Sequence, residues 1–339
     1  MKHMEGLTPA IALALIIPAV SGFIVVDRLT NPIGNFMKSR GIVGVDVHKL
    51  DKTVIPEMCG LVIILGVTTS AGLLCWFLPK YWSKFLALIL VVAIAAVVGY
   101  IDYLSHWRAK VKVAACAAAC IPILLTPGTY VSHPSAPFIG ELRLTILYPL
   151  ILVPVFTTLM ANAANMIDVL NGAMPITSAI AGIFLFLTAL LFGRLEAAAM
   201  YLSLVACLLA YYRFNRYPAK VFTGDIGSLG VGAAFGAIAV MGGLEILTLI
   251  AFLPAMINGS LNLSSVGRLF ERREISQRPI VLLPDGRLSA SQMREAPITL
   301  TRLLLASGPL RESEIVRRFM VLATFAGVLE MLTAVLMVL

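Results

Sequence analysis

Three aspartates stand where long apolar runs meet polar sequence: Asp102, Asp168 and Asp225. A carboxylate beside hydrocarbon is costly unless it is paired or faces water. Asp102 lies in GYIDYLSHWRAKVK (Gly99–Lys112), ahead of Arg108, Lys110 and Lys112. That set reads either as an ion pair at a helix end or as a place where a carboxylate and a phosphate share cations. Asp168 lies in ANAANMIDVLNGAMP (Ala161–Pro175), where Asn162, Asn165, Asp168 and Asn171 recur every three residues. On an α-helix this spacing drifts by about 60° per step, so the four side chains fan over one half of it. No Lys or Arg in loop 162–173 neutralises Asp168, which suits a hard metal ion or hydrogen bonds to a ligand. Helix capping accounts for one or two of the four. Asp225 lies in YPAKVFTGDIGSLGVGAAFGAIAV (Tyr217–Val240), at the start of an apolar helix. It reads as an N-terminal cap, or as a Mg²⁺ ligand beside backbone donors that face an anion. A fourth polar stretch, GVDVHKLDKTVIPEMCG (Gly44–Gly60), carries Asp46, His48, Lys49, Asp51, Lys52 and Glu57. Alone it reads as a solvated loop with snorkelling lysines.

The elements that must position these residues are apolar. Of 339 residues 59% are hydrophobic and only 13% charged, and the mean hydropathy is +0.94. Soluble domains carry about 25% charged residues, so a cytosolic globular enzyme, a disordered chain and a nucleic-acid-binding module are excluded. Cys59, Cys75, Cys116, Cys120 and Cys207 all lie in apolar runs, as small hydrophobes and not as a disulfide or zinc framework. Runs long enough for a bilayer lie near Leu7–Val26, Met58–Leu78, Phe85–Ile101, Val113–Leu125 and Thr145–Met160. Five more follow near Ile176–Phe192, Ala197–Tyr212, Ile226–Met241, Ile246–Leu261 and Ile315–Leu339. The first follows Lys2 but stays apolar through Val26, past any plausible cleavage point, and reads as a span, not a secretion signal. The expected fold is an all-α integral membrane protein of about ten transmembrane helices, a single polytopic domain over 1–339 with both termini on one side.

Charge orients it. Loops 27–57, 102–112, 162–173, 213–225 and 262–318 hold 21 of the 26 Lys and Arg and 13 of the 18 Asp and Glu. The remaining cations are Lys2, Lys80, Lys84, Arg143 and Arg194. The first set of loops is therefore expected to be cytoplasmic, and the concentration of both signs there predicts a polar site. Gly230, Gly232, Ala233, Ala234 and Gly236 allow close helix packing behind it. The last loop, 262 to about 314, carries Arg268, Arg272, Arg273, Arg278, Arg287, Arg294, Arg302 and Arg311 and no Lys. Arginine suits bidentate phosphate recognition, and the same charges suit anionic lipid headgroups. Pro284-Asp285-Gly286 predicts a turn between two short apolar stretches, a small hairpin. Asn258-Gly-Ser and Asn262-Leu-Ser match glycosylation sequons, but fall in a span or on the cytoplasmic side.

Hard oxygen ligands select Mg²⁺ or Mn²⁺, and metal with Lys and Arg around developing charge is the usual apparatus of phosphoryl transfer. A site at the membrane face implies a lipid substrate. The rival is a transporter or channel, which predicts ionisable residues near span midpoints, whereas these aspartates sit at span ends.

The ordered set GYID…WRAK, NAANMIDVLNG and VFTGDIGSLGVG resembles the polyprenyl-phosphate N-acetylhexosamine-1-phosphate transferases. GVDVHKLDKTVIPEMCG and ITLTRLLLASGPLRE are similar to the branch of eukaryotic dolichyl-phosphate GlcNAc-1-phosphotransferase and its archaeal relatives. The likeness runs in order from about Gly44 to Glu312. It implies transfer of GlcNAc 1-phosphate from UDP-GlcNAc to a polyprenyl or dolichyl phosphate, with release of UMP, the first step of lipid-linked oligosaccharide synthesis for N-glycosylation. It implies that Asp225 and Asn165 hold Mg²⁺ (or Mn²⁺), that Phe222 stacks on uracil and that Asn171 hydrogen-bonds it. Lys110 would contact the lipid phosphate or diphosphate, Glu57 would line the nucleotide pocket with Asp168 nearby, and Arg278 would hold the sugar and diphosphate. Asp102 takes the place of the family's acidic pair, as base or organiser of charge. The resemblance also implies a cytoplasmic-face site, in a plasma membrane or endoplasmic reticulum, and allows a homodimer. Three departures stand out. Asp102-Tyr103 replaces the Asp-Asp of many relatives, no His follows His133, where bacterial members carry a His-rich motif, and Arg278 stands where the eukaryotic branch has two arginines. Within enzymes, the alternative is a bacterial-type transferase of another UDP-aminosugar such as UDP-MurNAc-pentapeptide.

Overall fold

A computed structural model describes residues 9–126, 128–130, 134–136, 140–142, 144–267, 274–275 and 277–338. Lys2, His133, Arg143, Arg268, Arg272 and Arg273 lie outside the described residues. The fold is helical. In chain order α1 (Pro9–Ser39), the hairpin β1 (Val43–Val45) and β2 (Val54–Pro56), α2 (Leu61–Phe77) and α3 (Trp82–Ser105) come first. Then follow α4 (Ala109–Ala117), α5 (Ile121–Leu125), the short pair β3 (Ser135–Ala136) and β4 (Gly140–Glu141), and α6 (Val153–Ile167). Next are α7 (Ala173–Leu191), α8 (Leu195–Asn215), α9 (Gly224–Gly242), α10 (Glu245–Ala251) and α11 (Leu253–Val266). The hairpin β5 (Ile280–Leu282) and β6 (Leu288–Ala290), α12 (Leu300–Leu304) and α13 (Glu312–Val338) complete it.

Among the described residues seven helices are long and apolar enough to cross a membrane, or eight if α10 and α11 form one span bent by 75°. The bend falls at Pro254, at the start of α11, where the missing N–H interrupts the helical ladder. The other two expected spans are the 17-residue α2 and the segment of α4 and α5, which a 3₁₀ turn at Ala118–Cys120 divides. The run expected to end at Val26 continues as α1 to Ser39, so the loop after it begins later than hydropathy suggests. Asp27 of that extension pairs with Arg213 of α8 at 2.6 Å, and the Thr30 hydroxyl donates to the Val26 carbonyl. The hairpin expected around Pro284-Asp285-Gly286 forms, with Leu282 opposite Leu288.

α9 is the central helix, buried at every residue from Ile226 to Gly242 and packed against α3 and α6. Its small residues permit this, as expected: a Cβ on Gly236 would stand 3.0 Å from the Thr157 Cα of α6. The five cysteines are free, and all but Cys75 are buried.

Candidate active site

The polar clusters meet at one end of the bundle. α3 stops at His106, whose φ of +52° reverses the chain. Asp102 Oδ1 accepts from the Trp107 backbone N–H at 3.1 Å and braces that reversal. α4 then returns alongside, carrying Lys112 back to Asp102. The Lys112 ammonium lies 3.1 Å from Asp102 Oδ2 and 2.5 Å from Asp225 Oδ2. Asn165 Nδ2, from the last turn of α6, donates at 2.8 Å to both Asp225 Oδ1 and Ser228 Oγ. Asp102 and Lys112 are about 5% exposed. The cation there offsets the charge of both carboxylates, Asp102 buried and Asp225 partly exposed. Asp225 is therefore no helix cap: its carboxylate is shared between Lys112 and Asn165.

Two glycines make the approach possible. A Cβ on Gly99 of α3 would lie 2.6 Å from the Asp225 carbonyl carbon. Gly224 adopts φ +64°, and a Cβ there would meet the Met58 backbone at 3.0 Å.

A second wall lies beside this centre. The Phe222 N–H donates to Pro56 O at 2.8 Å, the Cys59 N–H donates to Phe222 O at 3.0 Å, and the Gly60 N–H donates to Thr223 O at 2.9 Å. The segment before α9 thus runs alongside the end of β2. A Cβ on Gly44 would stand 3.0 Å from the Phe222 ring and 3.4 Å from Glu57 Oε2, so Gly44, Glu57 and Phe222 form one surface. Asp168 ends α6 beside them. Burial pushes its carboxyl up to about 7, with the charges of Asp225 and Glu57 adding to the effect. Asn171 is buried, its Nδ2 donating to Asp46 Oδ2 at 3.0 Å and its backbone N–H to Glu312 Oε1 at 2.6 Å. Of the four polar residues spaced by three, Asn165, Asp168 and Asn171 reach this end. Asn162 donates back to Thr158 O of its own helix.

Lys110 and Arg278 are not drawn into this centre. Both are exposed, and neither makes a hydrogen bond or ion pair among the described residues. Two residues on a helix are about 200° apart, so α4 cannot aim Lys110 and Lys112 at one point. Lys112 is the cation between the carboxylates. Arg302, in the arginine-rich loop, is structural. Its Nη2 donates to Ser291 O and Met293 O at 2.9 Å, and its Nη1 donates to Ala296 O and Pro297 O. Lys112 was present in the motif, but no spacing or residue type there sets the rotation of α4. Ser228 stood within the GDIGS turn. Glu312 closed the ITLTRLLLASGPLRE stretch, but nothing in that stretch pointed to Asn171.

Asp225, Asn165 and Asp168 offer the hard oxygens that Mg²⁺ takes, so the donor set fits that ion. Among the described residues no three His, Cys, Asp or Glu side chains converge on one point. An ion there would complete its shell with substrate oxygens and water, the usual manner of Mg²⁺ at phosphates.

The chain is thus a helical membrane bundle with a carboxylate–ammonium–amide centre at one end. Residues 85–243, from α3 through α9, match the family described as Glycosyl transferase family 4. That segment contains Asp102, Lys112, Asn165, Asp168, Asn171, Phe222 and Asp225. The chain is 29% identical over 313 residues to a Saccharolobus solfataricus protein named "Putative UDP-N-acetylglucosamine--dolichyl-phosphate N-acetylglucosaminephosphotransferase", covering 90% of this chain and 92% of that one. A Sulfolobus acidocaldarius protein of the same name is 28% identical over 255 residues, 72% of this chain and 76% of that one. The phospho-N-acetylmuramoyl-pentapeptide-transferase of Shouchella clausii is 34% identical over 209 residues, 58% of this chain and 63% of that one.

Proposed function

We propose that the protein transfers N-acetylglucosamine 1-phosphate from UDP-GlcNAc to a polyprenyl or dolichyl phosphate and releases UMP. The observation that carries this reading is the Lys112 ammonium held between Asp102 and Asp225, with Asn165 on the second oxygen of Asp225. The names of the archaeal relatives supply the substrate pair. An oxygen of the lipid phosphate attacks the sugar-bearing phosphorus. One P–O bond forms, the P–O bond to UMP breaks, and UMP carries away the electron pair. A phosphate monoester has its second pKa near 6, so the attacking oxygen is already ionised at neutral pH and needs no base. Asp102 therefore serves as an organiser: it holds Lys112 and closes the turn at Trp107. Asp225 and Asn165 would hold Mg²⁺, which supplies charge compensation on the diphosphate. Phe222 stacks on uracil, Asn171 hydrogen-bonds it, and Glu57 and Asp168 line the same pocket. Arg278, exposed on the last loop, reaches the sugar diphosphate from solvent. The excess of Lys and Arg on this side favours the cytoplasmic face for the site.

The test is UMP release by the purified protein with UDP-GlcNAc and a polyprenyl phosphate, with and without Mg²⁺. Product that requires lipid and metal supports the reading. Release only from UDP-MurNAc-pentapeptide would move it to the chemistry named for the Shouchella clausii relative. No turnover with any UDP-sugar would overturn it.

A further inference from the structure

Three stretches remote in sequence meet at Asn171. Asn171 is gripped from both sides. Its backbone N–H donates to Glu312 Oε1 at 2.6 Å, from the first turn of α13, and its side-chain Nδ2 donates to Asp46 Oδ2 at 3.0 Å, from the loop after β1. Asp46 and Glu312 are each 3% exposed. Lys49 Nζ sits 2.6 Å from the same Asp46 oxygen, and the His48 backbone N–H donates to Asp46 Oδ1 at 3.3 Å. Burial alone would raise the Asp46 carboxyl. The hydrogen bonds from Lys49, Asn171 and the His48 N–H, together with the Lys49 charge, outweigh it and hold the group below the ordinary carboxylate range. An ionised carboxylate only accepts hydrogen bonds. The nitrogen of the Asn171 amide must therefore face Asp46, and the amide cannot turn over.

An amide with fixed polarity reads pyrimidines asymmetrically. Uracil presents a ring N–H donor beside a carbonyl acceptor, whereas cytosine presents a ring acceptor beside an amino donor. An amide oxygen and the second amide hydrogen complement uracil in one orientation and cytosine only in the reverse one. We propose that Asp46 is a specificity-determining positioning residue: by locking the amide polarity of Asn171, with Glu312 anchoring its backbone, it selects uridine over cytidine nucleotides. This rests on the reading that Asn171 contacts the base.

The experiment is calorimetric titration of the wild type, Asp46→Asn and Asn171→Ala with UMP and with CMP, alongside their thermal midpoints. An amide in place of the Asp46 carboxylate could donate as well as accept, which frees the Asn171 amide to turn. The wild type is expected to prefer UMP by about tenfold or more, the size of one well-placed bidentate contact. Both variants should bring the UMP-to-CMP affinity ratio towards one, an effect that mere loosening of the fold would not produce. Asn171→Ala decides the matter if Asp46→Asn does not fold. A folded variant that retains the wild-type ratio, or a wild type that binds both nucleotides alike, overturns the inference. UMP release by the wild type decides the reaction separately, since the nucleotide ratio needs no turnover.

Discussion

The ammonium of Lys112 lies 2.5 Å from an oxygen of Asp225, across 113 residues of sequence, and reaches Asp102 at 3.1 Å. Removing the cation would leave the buried Asp102 facing the partly exposed Asp225 without a compensating charge, where a broken buried pair costs up to about 3–5 kcal/mol. Lys112→Met should lower UMP release by at least about a hundredfold, since about 1.4 kcal/mol corresponds to each factor of ten. Lys110→Met should change it by no more than a few fold. Equal losses in the two variants would refute the assignment of Lys112 as the central cation.

Asp225→Asn keeps the shape of the side chain but removes its charge from both Lys112 and the proposed metal. Turnover should fall to background, and added Mg²⁺ should not restore it. Near-normal activity would remove Asp225 from the centre. Asp102→Asn should reduce the rate while the acid limb of the pH–rate profile stays in place, because the lipid phosphate ionises by itself. A displaced limb would make Asp102 a base.

The Asp168 carboxyl is pushed up from 3.8 to about 7. A raised carboxyl binds its proton more tightly in the folded state than in the unfolded one. Its contribution is therefore most favourable below about 4 and is lost as pH rises towards 7. The thermal midpoint in detergent without divalent ions should fall across that window, and Asp168→Asn should flatten the slope. The same slope in both proteins would show that another group is responsible.

Arg278 and Arg302 share a loop but not a role. Arg302→Ala strips four carbonyls of their donor and should lower the thermal midpoint, as charge-assisted bonds contribute about 1.5–3 kcal/mol each. Arg278→Ala should leave the midpoint alone and raise KM for the sugar nucleotide by about tenfold. Unchanged KM would take Arg278 out of the site.

Gly99 faces the Asp225 carbonyl, where a Cβ would stand 2.6 Å from backbone. Gly99→Ala must separate α3 from α9, at a cost of about 1–3 kcal/mol. Loss of activity together with a lowered midpoint is expected. A midpoint equal to the wild type would mean that the helices are less tightly apposed.

The membrane class, the positions of most apolar helices, the β5–β6 hairpin and the gathering of Asp102, Asn165, Asp168 and Asp225 near span ends were all legible along the chain. These are local properties: hydropathy over a window, turn chemistry at Pro284-Asp285-Gly286, and the cost of a carboxylate beside hydrocarbon. Which lysine faces the carboxylates was not legible, because the rotation of α4 follows from the reversal at His106 and from packing, not from spacing. Packing also settles that α1 continues to Ser39, where Asp27 finds Arg213 on a distant helix. The grip of Asp46 and Glu312 on Asn171 belongs to the same class. Those three residues are far apart in the chain, and a buried hydrogen bond between remote segments leaves no period or pattern in the sequence.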